Sequence, residues 1–174
     1  MGAWRQLRAI ALLPGSAAIL VPALILIGTG GPGPGWDLDG PLAALTALVG
    51  MALIGAGLAL WAWTVRLFAR IGRGTLAPWD PTRRLVVAGP YRRVRNPMIS
   101  AVLAVLLGEA LLFGSPALLV WCAVFLAANH AFFLLVEEPG LERRFGDEYR
   151  EYKRSVPRWI PATTPYTRRG RHRP

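Results

Sequence analysis

Four long apolar runs dominate the chain. Residues 9–27 carry no charge over 19 positions and residues 41–65 none over 25; residues 97–113 hold only Glu109 over 17, and residues 116–136 hold His130 as the one titrating group over 21. None of the runs alternates apolar with polar positions, as barrel strands would, and each is near the ~20 residues that a helix needs to cross a hydrocarbon core of roughly 30 Å. In lipid an isolated backbone N–H or C=O costs several kcal/mol, so such a run closes its hydrogen bonds internally as a helix. The pattern predicts an all-α integral membrane protein with four transmembrane helices, forming a single membrane domain over residues 1–174. The second run can rise about 37 Å, so it tilts or protrudes, and Trp61 and Trp63 near its end suit an interfacial depth.

The remaining segments are polar in two different ways. Residues 72–96 contain Gly72, Gly74, Pro78, Pro81, Gly89 and Pro90 around a short apolar patch, Leu85, Val86 and Val87, which reads as an ordered loop. After Val136, the residues Leu141, Phe145, Tyr149, Tyr152 and Val156 recur at helical spacing with Arg143, Arg144, Arg150 and Arg154 between them. That is a C-terminal amphipathic segment, which either lies along the inner leaflet or packs on the protein itself.

Composition agrees with the runs: 53% hydrophobic residues, 17% charged residues and a mean hydropathy of +0.38, against about 25% charge in an ordinary soluble domain. A net charge of +10 would point to nucleic acid in a polar chain, but here topology accounts for it. Two basic residues precede the first run, none lies between the first and second, eight lie between the second and third, none between the third and fourth, and ten follow Val136. The positive-inside rule then places both termini and the long middle loop in the cytoplasm, with residues 28–40 and the Gly114-Ser115 turn outside. Nucleic acid is not expected as a partner; membrane lipids are, and the Arg168 to Arg173 tail adds attraction to anionic headgroups. Nineteen Arg against one Lys, among many Ala, Gly, Leu and Pro, suits a GC-rich bacterial genome and hence a bacterial inner membrane. The single Cys122 excludes a disulfide framework and a Cys-based zinc site. The first run is too long for a signal peptide and lacks a convincing A-x-A-like site, while Gln6 stands where a myristoylation motif needs Ser or Thr.

Several short motifs bear on chemistry. Gly28, Gly30 and Gly33 spell a dinucleotide fingerprint, yet it follows an apolar span, Pro32 and Pro34 forbid an immediate helix, and no βαβ pattern surrounds it, so it is a chance match. The run from Gly89 to Met98 sets turn formers, Tyr91, three Arg and Asn96 against the third span. Pro97 suits the first helical position and Asn96 an N-cap; the free N–H groups there, beside cations, also suit an anion. Glu137 and Glu138 end the fourth span, either as interfacial carboxylates or as functional acids at a helix C-terminus that opposes the macrodipole. Asn129 and His130 lie within that span, with His130 on the face of Phe133, Leu134 and Glu137; they make an interhelical hydrogen bond or serve function. Glu109, in the outer half of the third span, is read as structural.

Taken in order, Gly89-Pro90-Tyr91, Arg95-Asn96-Pro97, a helical hairpin, Glu137-Glu138-x-x-Leu141, Phe145-Gly146-x-x-Tyr149-x-x-Tyr152 and Val156-Pro157-Arg158-Trp159-Ile160-Pro161 resemble the integral membrane methyltransferases of the isoprenylcysteine carboxyl methyltransferase and phospholipid methyltransferase group. The resemblance covers about residues 72–161. It implies transfer of a methyl group from S-adenosylmethionine to an amphipathic, lipid-like acceptor, a carboxylate or an amine, at a cytoplasmic region made of residues 72–96 and 137–161. It puts Leu85, Val86, Tyr91, Asn96, Pro97, Ile99 and Glu137 at cofactor contacts. Asn96 stands where the family usually has His, and Ile99 where it has Tyr. Phe133 falls about where the isoprenylcysteine enzymes bind substrate through Arg; with Asn129 it is assigned to the acceptor side, and His130 is the candidate base. In-line displacement at a sulfonium methyl requires positioning more than acid chemistry, and it requires no metal. A sterol-reductase-like enzyme using NADPH and a non-enzymatic membrane scaffold or lipid-binding protein remain as alternatives.

Overall fold

The computed structural model describes residues 11–31, 36, 38–72 and 85–167. The expectations at Arg5 and Arg8, over residues 73–84, at Gly33 and in the tail from Arg168 lie outside these residues. The regular elements among the described residues are all helical, with no strand. Helix α1, Val21–Gly28, is entered through a wider, π-wound stretch, Ala11–Leu20. Helix α2, Gly40–Leu67, continues through a π-wound turn, Phe68–Gly72. Helices α3, Pro97–Phe113, and α4, Pro116–Phe132, form a hairpin.

The hairpin turn follows from three adjacent residues. Gly114 ends α3 at φ 59°, a left-handed conformation that costs glycine little. Ser115 Oγ then accepts from the Leu118 N–H at 3.4 Å, and Pro116 opens the next helix.

Between α2 and α3 the packing rests on small residues. Gly50, Gly57 and Thr64, one every seventh position, are the buried residues of α2. A Cβ on Gly57 would stand 2.7 Å from the Ala101 carbonyl oxygen, and one on Gly108 would stand 2.6 Å from that of Gly50. The backbones therefore approach closely, which is how helices gain dispersion contact where lipid removes the hydrophobic drive. Leu45, Leu48, Met51 and Leu58 of α2, with Val120, Val124 and Leu135 further on, are exposed. An apolar outer surface of this kind suits lipid rather than water. Gly40–Ile71 and Pro116–Phe145 are long and apolar enough to cross a membrane, whereas Gly15–Gly28 and Pro97–Phe113 are apolar but shorter.

The fourth helix does not end at the acidic pair, as the sequence suggested. It passes through a π-wound turn, Phe133–Glu137, into α5, Glu138–Phe145. The cause is Pro139, whose ring would crowd the carbonyl four residues back; the wider turn just before it relieves the clash. Helix α6, Asp147–Ser155, follows a turn at Gly146 with φ 55°. Tyr149, Tyr152 and Val156 are buried together, with Leu85, Val87, Leu141, Phe145 and Tyr166 packed around them. The amphipathic segment thus turns its apolar side onto the protein, the second of the two arrangements its pattern allowed.

Candidate active site

Four pieces of chain meet at the ends of the apolar runs. They are the turn Gly89–Arg92 with the residues leading to Asn96, the last turns of α4 with α5, helix α6, and a strap running from Val156 to Thr167. Gly89 has φ 54°, and a Cβ there would come within 2.9 Å of Leu67, so the turn sits directly on the end of α2.

The strap runs alongside the 92–95 segment in the opposite direction. Arg95 N–H donates to the Pro157 carbonyl at 2.9 Å, Ala162 N–H to Arg93 at 2.8 Å, and Tyr166 N–H to Arg92 at 2.8 Å. Side chains add to the seam: Arg92 Nε donates to the Tyr166 carbonyl at 2.7 Å, and Arg93 Nη1 to that of Thr163 at 2.8 Å. Below it, Tyr152 donates its hydroxyl to the Tyr91 carbonyl at 2.6 Å.

Glu138 is the electrostatic centre. Its side chain is 6% exposed, and its Oε1 accepts from Arg95 Nη1 and from Arg158 Nε, each at 2.8 Å, while Lys153 Nζ lies 3.1 Å from Oε2. Lys153 also meets Glu142 at 2.7 Å. Burial alone would raise the Glu138 carboxyl; hydrogen bonds from Arg158 and Lys153, with the charges of Arg95 and Arg158, outweigh it and hold the group below the usual range. A carboxylate so enclosed is a clamp between loop, helix and strap rather than a free ligand group.

The sequence-predicted residues separate into two sets. On the first side, Val86, Tyr91 and Pro97 are buried, and Leu85, Asn96, Ile99 and Glu137 are partly buried. Leu85 packs on the α6 cluster, and Tyr91 stacks at 5.5 Å on Phe68. Asn96 does not cap α3 with its side chain; its carbonyl accepts from Ser100 N–H and Oγ, each at 3.0 Å, and its buried Nδ2 has no hydrogen-bond partner among the described residues. Among the described residues, Glu137 makes no side-chain hydrogen bond or ion pair. It lies near Tyr91, whose hydroxyl is pushed well up by burial, then by Tyr152, then by the charge of Glu137. Two polar groups of opposite hydrogen-bonding character, an amide donor and a carboxylate, thus have no hydrogen-bond partner among the described residues.

On the second side, Trp159 of the strap joins His130 and Phe133. Its indole Nε1 donates to His130 Nδ1 at 3.0 Å, and its ring meets Phe133 edge-on at 5.8 Å. Asn129 stands apart, returning its Nδ2 to the Phe125 carbonyl of its own helix at 2.8 Å. Among the described residues, no group of three or more His, Cys, Asp or Glu is placed to hold a metal ion.

Sequence reasoning did not name Arg95, Glu138, Lys153, Arg158 or Trp159 among the site residues. Arg95, Arg158 and Trp159 all lie within the quoted motifs, so that position in a motif was the one available signal.

A profile of the phospholipid methyltransferase family matches residues 45–148. The chain belongs to the phospholipid methyltransferase family. It is 36% identical over 63 residues to an uncharacterized protein of Haemophilus influenzae, a stretch that covers 36% of this chain and all of that protein. No solved structure matches. The family is one of membrane methyltransferases, in keeping with the lipid-suited outer surface. Its match runs from α2 into α6 and takes in every candidate position from Leu85 to Glu137; the strap lies beyond it.

Proposed function

We propose that this phospholipid methyltransferase family member transfers a methyl group from S-adenosylmethionine to an amphipathic, lipid-like acceptor at the cytoplasmic face of a bacterial inner membrane that it crosses four times. The observations carrying the proposal are two groups without hydrogen-bond partners among the described residues: the buried Nδ2 of Asn96, and the carboxylate of Glu137, which lies near Tyr91. A buried donor without a partner costs about 1–3 kcal/mol, which a ligand that accepts its hydrogen bond recovers. The two groups suit the polar ends of S-adenosylmethionine: Asn96 Nδ2 would donate to its carboxylate, and Glu137 would accept from its ammonium or ribose hydroxyls. Leu85, Val86, Tyr91, Pro97 and Ile99 supply the apolar and aromatic surround.

When bound, S-adenosylmethionine supplies an electrophilic methyl on a sulfonium sulfur. The protein's own part is to orient two reactants and exclude water, for which effective molarity is worth roughly 7–11 kcal/mol. Glu138, with Arg95, Lys153 and Arg158, holds the strap over the cofactor side. His130 and Asn129, near the end of α4, and Phe133, in the π-wound turn that follows it, border the acceptor. Family membership favours methyl transfer over an NADPH-dependent reductase or a lipid-binding scaffold, and no observation favours either alternative.

The test is equilibrium binding of isotope-labelled S-adenosylmethionine and of NADPH to the purified protein, followed by methyl incorporation into a bacterial lipid extract. Saturable S-adenosylmethionine binding with label appearing in an extractable lipid is the expected result. NADPH binding without S-adenosylmethionine binding would replace the proposal with the reductase.

A further inference from the structure

The contact between Trp159 and His130 fixes more than a packing arrangement. An indole N–H is a donor only, so the nitrogen it meets has to present a lone pair. That nitrogen is His130 Nδ1, 3.0 Å from Trp159 Nε1. In a neutral imidazole, a lone pair on one nitrogen puts the proton on the other, and an imidazolium has no lone pair at all. The contact therefore selects neutral His130 with its proton on Nε2. Among the described residues, nothing accepts from Nε2.

Trp159 is itself held from three directions. The preceding residues are tied to different elements, Pro157 through its carbonyl to Arg95 and Arg158 through Nε to Glu138, and Val156 is buried in the α6 cluster. Phe133, 6% exposed, packs on the indole at an interplanar angle of 67°. An imidazole facing such a fixed donor keeps its tautomer, because exchanging it would set one N–H against another.

Resting on the function proposed above, we infer that Trp159 is a positioning residue that presents His130 Nε2–H as a hydrogen-bond donor, and that the acceptor lipid is recognised through an anionic oxygen of its headgroup. For His130 to remove a proton at Nε2, that nitrogen would need a lone pair, and the tautomer supplying it loses the indole bond. Donation replaces proton removal as the role of this residue. The headgroup chemistry follows from it: a carboxylate or a phosphate oxygen accepts from Nε2–H, and an ammonium group does not.

The chain has two histidines, His130 and His172, so full-length protein labelled with 15N-histidine gives two ring systems, which a His172→Gln variant assigns. In micelles at neutral pH, His130 is expected to show an unprotonated Nδ1 and a protonated Nε2. Sodium dodecanoate and monododecyl phosphate are titrated as probes, with dodecylammonium as the cationic control. The anions should shift the Nε2–H resonance and the cation should not; a response to dodecanoate alone identifies a carboxylate headgroup, and one to dodecyl phosphate alone a phosphate. Trp159→Phe should mix the tautomers and, because affinity scales with the fraction that carries the proton on Nε2, weaken the anionic probes about twofold. His130→Gln, which keeps a donor near the Nε2 position, should bind them within about threefold of the parent, while His130→Leu loses roughly tenfold. A protonated Nδ1 in the parent, indifference of both anions, or equal losses in the Gln and Leu variants would overturn the inference. These readouts need no S-adenosylmethionine, so failure of the cofactor proposal is seen separately, in the binding experiment above.

Discussion

Asn96 and the two acids show how differently adjacent polar side chains serve the same region. The sequence made Asn96 an N-cap, whose loss costs about 1 kcal/mol. The side chain makes no cap bond, and its Nδ2 is buried without a partner among the described residues. Asn96→Ala is therefore expected to leave the melting temperature in cofactor-free detergent unchanged or slightly higher, while weakening S-adenosylmethionine roughly tenfold, the worth of one hydrogen bond, by calorimetry. Glu137 and Glu138 should behave in opposite ways. Glu138→Gln leaves Arg95, Lys153 and Arg158 facing a neutral amide, and breaking a buried ion pair from one side costs about 3–5 kcal/mol, seen as a large fall in melting temperature. Glu137→Gln removes no side-chain hydrogen bond or ion pair among the described residues, so the melt should barely move, while loss of a charge-assisted bond lowers cofactor affinity roughly ten- to hundredfold. Reversal of this pattern, with Glu137 carrying stability and Glu138 affinity, would exchange the two roles. The distinction was only half legible: the sequence says that adjacent helical side chains diverge, but a regular helix was assumed, and the π-wound turn at Phe133–Glu137 sets which acid meets the cations.

Among the elements, the α2–α3 seam and the strap are the parts most exposed to a single change. Gly57→Ala forces a methyl to 2.7 Å from the Ala101 carbonyl oxygen, whereas a Cβ on Gly55 would meet nothing within 4 Å. Overpacking of this sort typically costs 1–3 kcal/mol, so thermal melts in one detergent should show Gly57→Ala well below the parent and Gly55→Ala level with it or above. The strap and α6 are joined to the Gly89–Arg92 turn by the hydrogen bond from Tyr152 to the Tyr91 carbonyl. That bond needs a protonated phenol, and burial raises both Tyr91 and Tyr152 above the ordinary tyrosine range. A raised folded value means that the stabilisation is complete below the unfolded phenol pKa of about 10 and is lost as pH rises towards the folded values. The melting temperature should therefore hold to about pH 10 and then fall. Tyr152→Phe should begin roughly 0.5–1.5 kcal/mol lower and fall less steeply, having one fewer shifted phenol. Equal alkaline slopes in parent and variant would mean that Tyr152 does not report this linkage.

For the whole molecule, helix positions were legible because their signals are local: α3 begins and ends where the 97–113 run does, and α4 starts at Pro116, since Pro, Gly and Ser mark those boundaries in adjacent positions. The clamp was not legible, because its partners lie 43 residues apart for Arg95 and Glu138, 61 for Tyr152 and Tyr91 and 29 for Trp159 and His130, and periodicity carries no information at that range. Charge distribution acts between these scales and yields the prediction that orients the molecule. Chain connectivity sends α3 away from Asn96 and brings α4 back to Glu138, so the Gly114-Ser115 turn lies one helix length, about 26 Å, from the clamp. The segments at the clamp end, between the second and third runs and after the fourth, hold eighteen of the twenty basic residues, and the turn holds none. The positive-inside rule then predicts the clamp inside and the turn outside. In a Cys122→Ala background, a membrane-impermeant maleimide applied to intact spheroplasts should label Pro116→Cys, an exposed position beside the turn, and should label Arg154→Cys, exposed on α6, only after permeabilisation. The reverse pattern would place the Asn96 and Glu137 region on the outer face, away from the cytoplasmic supply of S-adenosylmethionine, and the proposed reaction would fall with the topology.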